Sequence, residues 1–412
     1  MKKIFYFILI FVILTLHLSA QNFWQATNGP DNNPIYSLIV TKNGTLLAGG
    51  LGGLFRSTNN GDIWTAVTGS IASKNILSIA QHPTGTLFAL GGDTQTYIVN
   101  IYMSTDDGLQ WTDIQTGFEL FATKCMAISN IGTILVGGAD TLYRSTDVGS
   151  SWTILPQETI FYGSINTIIF DSSDIVFAGG VYGACYSTNS GESWAVLGAL
   201  RLEYFISSLA ITKTNEIVAG TYYHGVHKLN GFSSFWTPIG LTGKSSLSMI
   251  TNEKGDVFLG RSNGEILKYA GDTNWVSLGT GIPSTYVWCL ALDSLDYMYA
   301  GTENGTVYRS NNTVTEVINN FPNELKHFFL NQNYPNPFNP ATTIRYQLPE
   351  RSLVTIKVYD ILGREVATLV NEEKPAGSYE VQFIGNGLTS GIYFYQIKAG
   401  EYSETKKMIL LR

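Results

Sequence analysis

A glycine recurs through most of the chain at Gly49, Gly91, Gly137, Gly179, Gly220, Gly260 and Gly301, seven copies whose six intervals span 252 residues, a mean period of 42. The same unit surrounds each one. Residues 35–64 show it plainly: IYSLIVT, KNG, TLLAGG, LGG and LFRSTNNGDIW, three strands with their turns and then a tryptophan. Each strand alternates apolar and polar residues over five to seven positions and breaks on Gly, Asn or Asp, as a strand, hairpin, strand unit should. Composition agrees, with charged residues at 14%, aromatics at 13% and 42 glycines against 12 prolines. That mixture excludes a coiled coil, a helical bundle or a disordered tail.

A four-stranded unit of this kind has apolar surface on both faces and cannot bury it alone, so copies must stack; a 42-residue all-β period is that of a β-propeller blade. The tryptophans indicate how the ring shuts. They follow the third strand and turn at Trp64, Trp111, Trp152, Trp194, Trp236 and Trp275, six for seven units, while Trp288 of the last unit lies inside its first strand. Trp24 supplies the missing one, because WQATNG at 24–29 is similar to WTAVTG at 64–69 and can add the outermost strand to residues 286–310. Closure of that kind removes open sheet edges. TEVIN at 315–319 competes for the same place. The expected fold is all-β: a seven-bladed propeller over 21–319, closed by the N-terminal strand 23–29, then a linker at 320–333 and a small antiparallel β-sandwich, Ig-like, over 334–412.

The turn before the tryptophan carries a second signature. STNNGDIW (57–64), STDDGLQW (104–111), STDVGSSW (145–152) and STNSGESW (187–194) fit Ser-x-Asp/Asn-x-Gly-x-x-Trp and resemble the Asp-box of sialidase-type and related (BNR-repeat) propellers. The carboxylate or amide can cap backbone N–H groups, the glycine can take a positive φ, and the indole can fold back on its own blade. Ser57, Asn59, Gly61 and Trp64, Ser104, Asp106, Gly108 and Trp111, Ser145, Asp147, Gly149 and Trp152, and Ser187, Asn189, Gly191 and Trp194 are therefore read as structural locks. The fifth and sixth units keep only the tryptophan (KLNGFSSFW, KYAGDTNW).

The chain ends carry addresses. Lys2 and Lys3, an apolar run over 4–16 and a small-residue site before residue 21 predict a signal peptide at 1–20, cleaved after Ala20. No cysteine follows the cut, and no later stretch nears the roughly 20 apolar residues of a membrane span. At the other end, YPNPFNP (334–340), YDILGREV (359–366), LTSGIYFYQIKAG (388–400) and KKMILLR look like the C-terminal sorting domain (type A) of the bacterial type IX secretion system. The resemblance implies passage through the outer membrane, the secretion machinery as partner of residues 334–412, removal of the tail on arrival, and a secreted or outer-membrane-surface protein of a Gram-negative bacterium. An adhesive sandwich is the plainer alternative.

Charge and motifs narrow the chemistry. Residues 21–326 carry 14 Lys and Arg against 24 Asp and Glu, a balance of −10, which repels a polyanion and argues against nucleic acid. Cys125, Cys185 and Cys289 lie far apart in apolar stretches and read as buried free thiols. HExxH and CxxC are absent, and the histidines lack metal-ligand spacing, so neither a cofactor nor a metal is expected. Gly243-Lys244-Ser245 lacks the preceding glycine of a phosphate loop, and Arg56, Arg144 and Arg309 stand at equivalent repeat positions, as structural arginines would.

Ligands of a propeller sit at the channel mouth, on the loops between blades and on the hairpins between second and third strands. Here these loops are aromatic: Phe118, Phe121, Phe161, Tyr162, Tyr204, Tyr222 and Tyr223, with Arg201, Glu203 and His224 nearby. Flat rings beside a few hydrogen-bonding groups suit a sugar or a peptide, although some rings could simply cover the channel. The expectation is a non-catalytic binding protein whose loop face (Phe121, Tyr162, Arg201, Glu203, Tyr204, Tyr222, Tyr223, His224) holds a glycan or protein. The alternative is a glycoside hydrolase like the xyloglucanases and sialidases, which would need two carboxylates about 5–10 Å apart, with Glu119, Glu158, Glu203 and Glu303 as candidates. A purely structural adhesin is a third possibility.

Overall fold

The computed structural model describes residues 22–30, 33–93, 98–114, 120–121, 124–139, 141–155, 163–198, 204–232, 235–243, 245–315, 328–333, 335–375 and 377–411. Among them every regular element is a strand. The chain divides into two compact units, Met1–Val317 and Ile318–Arg412.

The described residues of the first unit form seven sheets. Numbered by their inner strands, these begin at Ile35–Val40, Asn75–Gln81, Cys125–Ile128, Ile165–Phe170, Ile206–Ile211, Ser246–Thr251 and Val287–Leu292. Each inner strand touches that of the next sheet, and the seventh touches the first. This is a propeller-like ring. The second strands, such as Leu46–Gly50 and Val176–Gly180, are buried at every position. They depart from the expected alternation because neighbouring sheets cover both of their faces.

The periodic glycine has its reason in that stacking. A Cβ on Gly49 would stand 2.3 Å from Ile76 Cγ2, on Gly179 2.6 Å from Ile206 Cγ2, and on Gly260 2.7 Å from Val287 Cγ1. In each case the neighbour is the first or second residue of the next inner strand. Gly301 faces Ile35 in the same way, which carries the contact from the seventh sheet to the first.

The seventh sheet runs in the order Trp24–Pro30, Thr306–Ser310, Met298–Thr302, Val287–Leu292. Trp24 pairs with Ser310 and Gln25 with Arg309, antiparallel. Trp24 is 2% exposed, its N–H donates to Thr280 O at 3.1 Å, and Asn311 N–H returns to Phe23 O at 2.8 Å. Of TEVIN, the described part ends at Thr315.

The four Ser-x-Asp/Asn-x-Gly-x-x-Trp turns share one hydrogen-bond plan. Ser57 Oγ donates to Asn59 Oδ1 (2.9 Å) and accepts from Gly61 N–H (3.0 Å), and Ile63 N–H donates to Asn59 Oδ1 (3.0 Å). Asp106, Asp147 and Asn189 repeat it. The residue before each glycine is also left-handed, at Asn60, Asp107, Val148 and Ser190 (φ 55–59°), and Val148 is the strained one because a β-branched side chain crowds there. Trp111, Trp152 and Trp194 donate Nε1 to the glycine carbonyl of their own turn at 3.0–3.1 Å. Trp64 instead donates to Thr27 Oγ1 of the N-terminal strand (3.2 Å), and Trp236 and Trp275 donate to Leu197 O and Ile239 O of the preceding sheet.

The repeat-equivalent arginines fasten three of these four turns from the sheet before. Arg56 donates Nε to Asp107 O (2.9 Å) and Nη2 to Asp107 Oδ2 (3.2 Å). Arg144 reaches Glu192 Oε1 and Ser190 O, and Arg309 reaches Asn60 O and Asp62. The three cysteines are buried thiols outside any disulfide, and burial pushes the Cys125 and Cys289 thiols up to about 12.

The second unit is a two-sheet sandwich. One sheet orders Phe329–Leu330, Ala341–Leu348 and Gly377–Ile384; the other orders Glu365–Lys374, Ser352–Tyr359, Gly391–Ala399 and Tyr402–Leu410. Burial alternates along Ala341–Leu348, Ser352–Tyr359 and Gly391–Ala399, so Ile344, Tyr346 and Leu348 meet Val354, Ile356, Val358, Tyr395 and Ile397 in one core. The sandwich starts before the proline-rich motif: Phe329–Leu330, placed in the linker by sequence, pairs with Tyr346 and Gln347. The motif itself pins the last strand. Phe338 is 2% exposed, its N–H donates to Ile409 O (2.9 Å), its carbonyl accepts from Leu411 (3.0 Å), and Asn336 Oδ1 accepts from Ile409 N–H (2.8 Å).

Candidate functional site

The inner strands share a local irregularity that builds one end of the ring. In six of them the register slips by one residue near the start, leaving Tyr36, Leu77, Asn166, Ser207, Leu247 and Trp288 unpaired in the ladder. A bulge of this kind re-aims a side chain. Asn166 Nδ2 donates to Ile206 O (3.0 Å), Ser207 Oγ to Ser246 O, and Tyr36 meets Trp288 edge-on with centroids 6.0 Å apart. Neighbouring inner strands are thus tied at this end, which also carries the hairpins between second and third strands.

The fifth sheet presents the predicted aromatic group. Its hairpin is held by Thr221, whose Oγ1 donates to Gly225 O (2.7 Å) and accepts from His224 N–H (2.9 Å), with Gly225 at φ 79°. Tyr204 stacks on His224 at 4.1 Å and 7°, Tyr222 meets Tyr223 edge-on at 4.9 Å, and Phe205 meets Tyr222 at 5.6 Å. Tyr223 is 60% exposed. Beneath them His227 is buried with no partner for Nδ1 among the described residues, and desolvation followed by the nearby His224 lowers its pKa. Of the expected residues, the structure brings Tyr204, Tyr222, Tyr223 and His224 together. Phe121 is placed by its backbone in the short strand Leu120–Phe121, paired with Ile98 at the edge of the second sheet. Tyr162, Arg201 and Glu203 lie outside the described residues, as do Phe118, Glu119, Glu158 and Phe161.

A second aromatic group, missed in the sequence, straddles the seventh and first sheets. Trp288 donates Nε1 to Glu303 Oε2, Tyr286 meets Trp288 edge-on at 5.4 Å, and Glu303 N–H donates to Tyr286 O at 2.9 Å. Tyr36 is raised in pKa by desolvation first and by Glu303 second. The available signal was positional, since Tyr286 and Glu303 occupy the repeat places of Phe205 and Tyr222. At the opposite end, Ala127, Ile168, Leu209 and Met249 help line a cavity of about 410 Å³ between the third to sixth sheets. Among the described residues no three His, Cys, Asp or Glu side chains converge as a metal site, and no helix is long and apolar enough to cross a membrane.

An all-β ring with an aromatic end, followed by a sandwich, defines a propeller-like protein with a second β domain. Residues 332–411 match the family described as the secretion system C-terminal sorting domain, which implies export by type IX secretion and interaction with that machinery. The protein is accordingly secreted to the cell surface or outer membrane. The ring resembles YCF48 bound to D1 peptide (TM-score 0.55, 16% identity, 71% of this chain and 97% of that one) and streptogramin B lyase (0.58, 8%, 70% and 97%). PorZ, an essential surface component of the type IX secretion system of Porphyromonas gingivalis, matches at TM-score 0.53 and 13% identity over 94% of this chain, which spans 60% of PorZ. At these identities the likeness is one of fold. No curated protein matches the chain.

Proposed function

We propose that the first unit is a seven-bladed Asp-box propeller, closed by its N-terminal strand, that acts without catalysis as a binding module for a glycan or protein at the cell surface. The observation that carries this reading is the packed aromatic group on the loop face. Tyr204 and His224 are stacked in advance, so their ordering entropy is already lost before a ligand arrives, and Tyr223 projects into solvent beside them. Aromatic faces supply large contact area at low entropic cost. The sorting tail puts that face outside the cell. The mature protein on a glycan array and in pull-downs from surface extract should capture a ligand, and Tyr222→Ala with Tyr223→Ala should weaken capture at least tenfold. Unchanged capture, or release of reducing sugar abolished by Glu303→Gln, would overturn the reading.

A further inference from the structure

The hairpin between the second and third strands of the sixth sheet holds polar atoms that no group among the described residues satisfies. Arg261, the last residue of Val257–Arg261, is 6% exposed; its Nη1 donates to Glu265 Oε2 at 3.1 Å, while its Nε has no partner. Ser246 Oγ and Asn263 Oδ1 are also buried and unpartnered, and Ser246 stands opposite Arg261 in the strand register. Desolvation lowers the Arg261 pKa, with Glu265 opposing that shift. Unsatisfied buried groups are rare enough in folded proteins to require an explanation.

This hairpin lies between the two aromatic groups and is connected to both. Ser245 Oγ donates to Tyr222 O and Gly243 N–H to Tyr223 O (3.1 Å), and Ser262 N–H then donates to Ser245 O (3.3 Å). On the other side a Cβ at Gly264 would stand 2.2 Å from Pro283 O, three residues before Tyr286, which is 42% exposed. A ring, a buried guanidinium and a second ring thus follow one another along one rim.

We propose that Arg261, Ser246 and Asn263 form the charge-reading part of the loop face and take the carboxylate and a hydroxyl of a uronic-acid sugar seated between Tyr223 and Tyr286. The proposal rests on the binding-face reading above. A guanidinium fork matches a carboxylate with two parallel N–H donors, Asn263 Oδ1 offers an acceptor to a sugar hydroxyl, and rings on either side suit the pyranose. Glu265, whose side chain is 43% exposed, supplies the carboxylate that holds Arg261 in this structure. The ligand displaces it, so Glu265 competes with the sugar.

Titration calorimetry of the mature protein with trigalacturonic acid and with neutral galactotriose tests this. The acid should bind at least tenfold tighter than the neutral sugar. Glu265→Gln should tighten the acid several-fold and leave the neutral sugar unchanged, a gain that a merely structural ion pair would not give; Arg261→Met should erase the preference. If Arg261→Met fails to fold, the half-exposed Glu265→Gln still decides. Equal binding of the two sugars, or Glu265→Gln leaving the acid unchanged or weaker, overturns the inference while the binding-face reading stands. Binding of neither sugar overturns the inference and counts against a glycan as the ligand of that face. A peptide bound through its free C-terminal carboxylate, and lost on amidation, overturns the assignment to a sugar.

Discussion

Arg309 on the seventh sheet donates Nη1 to the backbone carbonyl of Asn60 in the turn of the first, 3.2 Å away. Arg56 and Arg144 make the same forward reach, so one contact type joins consecutive sheets and also crosses the seam where the chain's start meets the end of the ring. The three are not equal in strength. Arg56 and Asp107 are 18% and 19% exposed and share two bonds, whereas Asp62 lies 3.8 Å from Arg309 and is 69% exposed. Charge-assisted bonds out of solvent contribute about 1.5–3 kcal/mol, exposed pairs about 0–1. Arg56→Ala should therefore cost about 2 kcal/mol and Arg309→Ala about 1 or less, as read from urea unfolding midpoints.

Gly301→Ala tests the stacking more sharply, because its backbone is not left-handed and the only obstacle is space. The new Cβ would press on Cys289 Sγ at 2.5 Å and Ile35 Cγ2 at 2.7 Å. Overpacking of this kind costs typically 1–3 kcal/mol. Gly44→Ala, which meets nothing within 4 Å but sits at φ 80°, separates backbone strain from crowding. Pairing Gly301→Ala with Cys289→Ala, which removes the nearest clashing atom, should recover part of the loss.

The carboxylates of the two Ser-x-Asp-x-Gly turns make a pH prediction. Asp106 is held low by the Gln110 N–H before its other contacts, and Asp147 by the Ser151 hydroxyl first. A folded pKa below the unfolded value of about 3.9 gives stability that is present above that value and lost as pH falls through the folded pKa. Asn59 and Asn189 do the same job without titrating. The double variant Asp106→Asn, Asp147→Asn should thus unfold with a flatter pH dependence below about pH 4 than the parent, measured by thermal melts.

For the tail, Phe338 ties the proline-rich motif to the final strand from a fully packed position. Phe338→Ala should cost about 3–5 kcal/mol and loosen the strand that carries Lys406 and Lys407. Fractionated cells should then show the protein held back in the periplasm, with proteolysis beginning at the C-terminal unit.

What was readable in the sequence was what repeats. The strands, the tryptophan places and the Ser-x-Asp/Asn-x-Gly turns depend on local spacing, and the pairing of Trp24 beside Ser310 follows from the one repeat that lacks its tryptophan. The forward reach of Arg56 to Asp107 did not show, because it joins different repeats. Trp288 was placed inside a strand, yet the bulge that frees it from the ladder leaves no mark in an alternation of apolar residues. Glu303 was named only as a candidate carboxylate and Arg261 not at all, because each departs from its repeat equivalents and only the fold shows that the departures share one rim.

Hydroxyl-radical footprinting of the mature protein with its captured ligand tests the central claim most directly. Tyr222, Tyr223 and Tyr286 should be protected, with Ile131 and Leu295 on hairpins at the other end of the ring, 73% and 70% exposed, reacting as they do in the free protein. Protection at Ile131 and Leu295 with the three tyrosines unchanged would contradict it.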